Sequence, residues 1–315
     1  MLREYVDNYE IDYVLSNCDV FTGSPDIGKD YRWLCYTPID TEELTWTIAD
    51  RLKNAYALPC CTHYIEKIIK DKLPNVRTYY CPYSVDTSQF TIVDRKEARK
   101  ITGFSDDDYV FGMVAMNKGT MPRKAFPQVI EAFAEIHKKY PHVRLYLHTQ
   151  VERVIQDMID IVRILEENEV TKFTKRADPR RMIIGYTTEE MNFIYNSMDC
   201  FILCSYGEGM GVPIIEAQAA GIPVITQDYG PQAEVTKTGW KIEPGPQHWT
   251  NLNGHWRMPI KERIYDAMEQ AINTKITDQD RSDIRHKVME YDINNVYKKC
   301  WKPMFKELEK EVQFV

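Results

Sequence analysis

Cys204-Ser205-Tyr206-Gly207-Glu208-Gly209-Met210-Gly211-Val212-Pro213-Ile214-Ile215-Glu216-Ala217 follows a short apolar run at 199–203 and precedes another at 222–226. Short apolar runs bounded by glycine and proline read as buried strands. Between them, three glycines alternate over 207–211, Pro213 stands where a helix would begin and Gly221 where it would end. Proline suits the first helical turn, and glycine the position just past the last one. The segment therefore reads as strand, glycine-rich loop, helix and strand, the repeating unit of a parallel sheet.

The same alternation continues on both sides. The apolar run at 109–114, the alternation of Val143, Leu145 and Leu147 with Arg144 and Tyr146, and 181–184 ending at Gly185 read as strands, and helical spacing of apolar residues marks helices over 126–140, 151–165 and 264–272. Thr187 with Glu190 fits a capping box that opens another helix, ending near Met198. Tyr229-Gly230-Pro231 reads as a turn, and 248–258 as an irregular, aromatic-rich surface excursion. Strands alternating with helices predict βαβ units, with right-handed crossovers placing helices on both sheet faces. The first part is thinner, with strands at 13–15, 33–36, 56–60 and 76–81, helices at 42–54 and 63–73, and a linker from Pro82 to Arg95. The predicted class is α/β: a doubly wound parallel-sheet domain over 89–290 and a smaller, incomplete Rossmann-like domain over 1–88. From Ile293, an apolar stripe through Val296, Cys300, Met304 and Leu308 marks an otherwise charged helix, so 291–315 is expected to pack back toward the first domain.

Length and composition agree with this division. The chain has 315 residues, which suits two domains of roughly 150 residues each. Hydrophobic residues make up 43%, enough for ordinary cores, and the formal net charge of −7 argues against nucleic acid as the main partner. Apolar stretches such as 110–116 fall well short of the ~20 residues of a membrane helix, so no membrane span is expected. The first residues lack the basic-then-apolar pattern of a secretory signal. Eight cysteines are scattered without CxxC spacing or a histidine cluster. That is the pattern of reduced, buried thiols in a cytoplasmic protein with no metal site.

The glycine loop carries the chemistry. Backbone N–H groups of Met210, Gly211 and Val212 would face outward at a helix N-terminus, an anion site reinforced by the helix dipole. A diphosphate fits it. Glu208 lies beside that site and Glu216 about one helical turn further on. A carboxylate next to phosphate is repulsive unless it binds neutral hydroxyls, which sugars and riboses supply. One carboxylate on each side of a diphosphate suits a nucleotide-sugar.

Glu208 and Glu216, with seven residues between them, match the Glu-x7-Glu motif, and the surrounding string through Ile225 resembles the retaining glycosyltransferases of the GT-B fold, family 4 above all. The stretch Gly112-Met113-Val114-Ala115-Met116-Asn117-Lys118-Gly119, followed by Arg123-Lys124, is similar to that family's first donor-domain loop. Pro82-Tyr83-Ser84-Val85-Asp86 resembles its interdomain segment, and Tyr36-Thr37-Pro38-Ile39-Asp40 its acceptor-domain strand end. The resemblance implies a GT-B fold and retaining, metal-independent transfer from a nucleoside-diphosphate-sugar to a hydroxyl acceptor, without a cofactor. It implies catalytic roles for Glu208 and Lys124. Donor contacts would come from Glu216, Arg123, Lys118, Asn117, Gly209, Met210, Gly211 and Val212, with Ile184 and Tyr186 beside the base. Asp40 is the acceptor-side candidate.

Three departures from the family pattern stand out. Asn117-Lys118 replaces a frequent arginine, Ser84 replaces the glycine before Val85-Asp86, and no histidine stands near 16–18. The first domain also reads as lacking its opening βα unit. A second reading follows from that shortness: a non-catalytic or partner-dependent nucleotide-sugar-binding subunit, its N-terminal domain completed by a partner chain. His148, at a strand end, reads as a hydrogen-bonded structural histidine.

Overall fold

The computed structural model describes residues 2–24, 26–119, 121–152 and 158–312. The N-terminal sheet is parallel and four-stranded, with β1 (Val14–Asn17), β2 (Trp33–Tyr36), β3 (Ala57–Cys60) and β4 (Arg77–Tyr80) in the order β1-β2-β3-β4. Strands laid down in one direction by right-handed crossovers put their connecting helices on one face. Leu58 and Cys60 of β3 accordingly join a core with Ile65 and Ile69 of the His63–Lys72 helix.

The opposite face is covered by the chain's end. Leu34 and Ala57, paired across β2 and β3, are buried with Cys81 against Met304 and Leu308. Both belong to the C-terminal helix, Lys302–Val312. The stripe expected from the sequence is thus explained, and Trp301 is a packing residue whose ring meets Tyr36 edge-on at 5.1 Å.

The second sheet has six parallel strands: β5 (Tyr109–Val114), β6 (Val143–His148), β7 (Thr174–Arg176), β8 (Cys200–Leu203), β9 (Val224–Gln227) and β10 (Gly239–Ile242). Their order is β10-β9-β8-β5-β6-β7. The order reverses between β5 and β8, and ligands of open α/β sheets bind at the carboxyl ends of strands beside such a switch point. The loops that leave β5 and β8 carry Asn117–Lys124 and Cys204–Gly211.

Several expectations change. The run 181–184 is not a strand but the end of a helix, Pro179–Ile184, and the third-edge strand is β7. Asp178 caps that helix by accepting from the amides of Arg180 and Arg181, and Pro179 occupies its first turn. The helix expected over 151–165 is observed as Ile161–Glu167, capped by Asp160, while 153–157 lie outside the described residues. Gly230–Val235 is a short helix rather than a turn. Its Glu234 accepts from the amides of His63 and Tyr64, capping a helix of the other sheet's layer. The 248–258 excursion is a hairpin of β11 (Gln247–Trp249) and β12 (His255–Arg257).

That hairpin ties the halves together. Arg257 makes a two-pronged pair with Glu42 at 2.9 and 2.6 Å, and His255 Nδ1 lies 2.8 Å from Glu43. The chain also crosses between the halves twice, side by side. The Val85 amide donates to the Tyr291 carbonyl and the Ile293 amide to that of Val85, at 2.9 and 3.1 Å. Thr87 Oγ1 donates to Asp292 at 2.7 Å, and Arg285 to the Thr87 and Phe90 carbonyls.

Candidate active site

The loop after β8 and the loop after β5 are stitched to each other. The Tyr206 amide donates to the Arg123 carbonyl and Arg123 Nη1 to the Gly207 carbonyl, both at 2.7 Å. Behind them, Gln227 and Gln232 donate to the Ser205 carbonyl at 2.8 and 2.9 Å. Ala125, just before the Phe126–Lys139 helix, has φ +59°, a left-handed conformation that costs a non-glycine residue on the order of 1–3 kcal/mol. It is fully buried with Tyr206 and Trp256, which hold it there. This fixed geometry aims Lys124 at Glu208.

Glu208 is 7% exposed, and Lys124 donates to its Oε1. Arg123 Nη1 lies 3.9 Å from Glu208 Oε2 and 3.4 Å from Asp40 Oδ2. Two cations and two carboxylates thus share one cluster. Burial alone would raise the Glu208 carboxyl, but Lys124 and Arg123 outweigh it and hold the group below the ordinary glutamate value. Burial pulls the Lys124 ammonium down against the attraction of Glu208. At Asp40 burial prevails and raises the carboxyl, with Arg123 opposing it.

The glycines explain how the halves meet. A Cβ on Gly207 would collide with the Asp40 carbonyl and the Trp256 ring, and one on Gly209 with Pro38. The bare backbone therefore serves close approach of the two halves, where sequence alone pointed to approach by a ligand. Gly211, at φ +90°, starts the Val212–Ala219 helix with no side-chain cap. Gly209, Met210, Gly211 and Val212 line a cavity of ≈ 710 Å³ together with Arg123, Glu208 and Asp40.

Other expected residues lie elsewhere. Glu216 does not line that cavity; its half-buried carboxylate accepts from Tyr195 Oη at 2.6 Å, and burial raises it against that hydrogen bond. Asn117 is buried and engaged internally. Its side-chain amide donates to the Gln150 and Ile159 carbonyls and its Oδ1 accepts from the Ile159 amide, so the side chain staples a loop rather than facing a ligand. Lys118 is exposed. Ile184 is 80% exposed, beside Tyr186, whose ring lies 4.6 Å from that of His148 and 4.8 Å from the Arg181 guanidinium. His148, buried beside Tyr146 Oη at 3.3 Å, is lowered by burial to about 4 and is neutral at pH 7.

Residues unmarked by sequence reading also form the site. Trp256 sits against the glycine loop, and Asp19, Phe21 and Leu252 complete the cavity wall. The aromatic-rich composition of 248–258 was the one available signal for Trp256. Among the described residues, no helix is long and apolar enough to cross a membrane, and no group of three or more His, Cys, Asp or Glu could hold a metal ion.

Comparison with known proteins agrees with this architecture. Residues 94–252 match the family described as Glycosyl transferases group 1. The chain is 29% identical over 201 residues to the uncharacterized glycosyltransferase 335 of Sulfolobus islandicus rod-shaped virus 1, covering 59% of this chain and 54% of that protein. The chain spans about half or less of the length of the curated relatives it matches. Sucrose-phosphate synthase from Thermosynechococcus elongatus superposes with a TM-score of 0.76 at 15% identity, covering 98% of this chain and 77% of that one. Anabaena HepE in complex with UDP-glucose gives 0.71 at 12% identity, covering 97% and 81%. These superpositions show the GT-B type of fold, two parallel-sheet layers facing a cleft. With half of its length matched by the family profile and the cluster standing at the switch point, the chain belongs to the group 1 glycosyl transferases.

Proposed function

We propose that this chain transfers a sugar from a nucleoside-diphosphate-sugar to a hydroxyl acceptor with retention of anomeric configuration and without a metal or other cofactor. The observation that carries this reading is the Glu208–Lys124–Arg123 cluster, of which Glu208 and Arg123 line one cavity with the Gly209–Val212 backbone while Lys124 donates to Glu208 from behind its wall. A diphosphate at the uncapped helix start brings negative charge to Lys124 and Arg123. Its arrival releases Glu208 from full engagement with them, leaving the carboxylate free to accept sugar hydroxyls. The two cations then stabilise the departing diphosphate, where the transition state gains charge. They occupy the role a divalent cation would fill, which supports metal independence. Glu216, held by Tyr195, is assigned to the ribose, and Ile184 with Tyr186 to the base. Retention is supported by the Glu208/Glu216 spacing, and HepE's complex with UDP-glucose supports a uridine donor. The unpaired cysteines support a cytoplasmic location.

The test is calorimetric titration with UDP-glucose and GDP-mannose, followed by NMR of the product anomer. Lys124→Met is expected to weaken donor binding about tenfold or more, as loss of a charge-assisted contact implies. Unchanged donor affinity in that variant rejects the assignment. A second reading, a binding subunit needing a partner, is favoured by the open edge strand β1 with Leu15, Tyr5 and Tyr9 exposed nearby in sequence. Donor binding without hydrolysis or transfer across varied acceptors would favour it.

A further inference from the structure

The cavity before the glycine loop has a second wall, and its chemistry is distinctive. Asp19, Phe21 and Thr22 follow β1, Asp40 follows β2, and Leu252 comes from the hairpin. Among the described lining residues the carboxylates are Asp19, Asp40 and Glu208, and the one cationic side chain is Arg123. Arg123 already donates to the Gly207 carbonyl and lies against Asp40, while Lys124 is engaged with Glu208. Arg51 stands behind Phe21, 5.9 Å from its ring, but does not line the cavity. A donor diphosphate would draw on the same two cations. A second phosphate, carried by the acceptor, would then face Asp19 and Asp40 with no cation of its own.

The wall does suit a neutral polyol. Asp40 Oδ2 is 3.4 Å from Arg123, too long for a strong hydrogen bond, so the carboxyl keeps acceptor capacity toward a hydroxyl. Phe21 is exposed to the cavity and offers an aromatic face to the C–H side of a sugar ring. We infer that the acceptor is an uncharged sugar rather than a sugar phosphate, with Asp40 receiving its hydroxyl and Phe21 covering its ring. This rests on the transfer reading above.

Saturation-transfer NMR in the presence of UDP tests the inference. The probes are methyl glycosides of glucose, galactose and mannose, set against the 6-phosphates of the same sugars. At least one methyl glycoside is expected to bind about tenfold more tightly than its phosphate counterpart, the size of one unfavourable charged contact. Phe21→Ala and Asp40→Asn should each remove that signal, and Asp19→Lys should narrow or reverse the preference. Sugar phosphates binding as tightly as neutral sugars to the wild-type protein overturn the inference. So does the absence of binding by every neutral sugar, or neutral-sugar binding untouched by Phe21→Ala and Asp40→Asn. Donor titration, read separately, shows whether the transfer reading fails as well.

Discussion

Lys124 and Glu208 are each nearly sealed from solvent, with side chains 15% and 8% exposed, and each is tolerable only because the other is present. Removing one partner of a buried pair leaves an unmatched charge, at a cost of about 3–5 kcal/mol. Lys124→Met is therefore expected to lower unfolding stability by about that amount, and the double variant Lys124→Met/Glu208→Gln to recover much of it. Urea denaturation of the three proteins is the measurement. The pH dependence follows from the same pair. Glu208 has its folded pKa below the unfolded value, so its stabilisation is present above the ordinary glutamate value of 4.5 and lost as pH falls through the folded one. Stability should decline in that acid window, and Glu208→Gln should flatten the decline. Glu216 has the opposite sign. Its raised carboxyl contributes stability below the ordinary glutamate value, lost as pH rises through the folded value. Glu216→Gln, which keeps an acceptor for Tyr195, is expected to melt higher than wild type at neutral pH but not in acid, while binding donor more weakly. Differential scanning fluorimetry at stepped pH, with and without UDP-glucose, separates these outcomes.

Elements set how the charges meet. The glycine loop runs so close to Pro38 and Asp40 that one methyl group must push the halves apart. Gly209→Ala is expected to leave both sheets folded, to enlarge the radius seen by small-angle scattering, and to reduce transfer sharply. An unchanged radius with full activity would contradict the contact. The hairpin acts on the same interface, since Arg257 and Glu42 are both more than two-thirds buried. What sequence could show at this scale was uneven. The 204–217 string carried loop, helix start and Glu208 because glycine and proline are placed by backbone sterics, which are local. The run 181–184 is helical rather than extended because three apolar residues, Met182 to Ile184, suit a strand or a helix equally, and the deciding signal was the Asp178-Pro179 pair before it. Trp256 and the stapling of Asn117 depend on partners 49 and 42 positions away, the first counted from Gly207, and no local pattern encodes them.

The molecule as a whole is two parallel sheets whose helices are distributed differently. The six-stranded sheet reverses its order and is covered on both faces; the four-stranded sheet is covered on its second face by the Lys302–Val312 helix. A periodic stripe made that helix legible and pointed it toward the first domain; that it covers β2 and β3 there follows from strand order, which only the structure supplies. Met304→Asp puts a charge against Leu34, Ala57 and Cys81, a burial expected to cost about 3 kcal/mol or more. Hydrogen exchange should show the final helix and β2 losing protection while β5 and β8 keep theirs.

The paired crossings at Val85 and Tyr291–Ile293 have a mechanical outcome. One tether would let a body swivel in any direction; two neighbouring tethers, bonded like the knuckles of a door, leave a single easy axis. A rotation about it would alter the gap between Asp40 and Glu208 while discouraging sideways slip. On the proposed transfer reading, donor would enter and product would leave along that one arc.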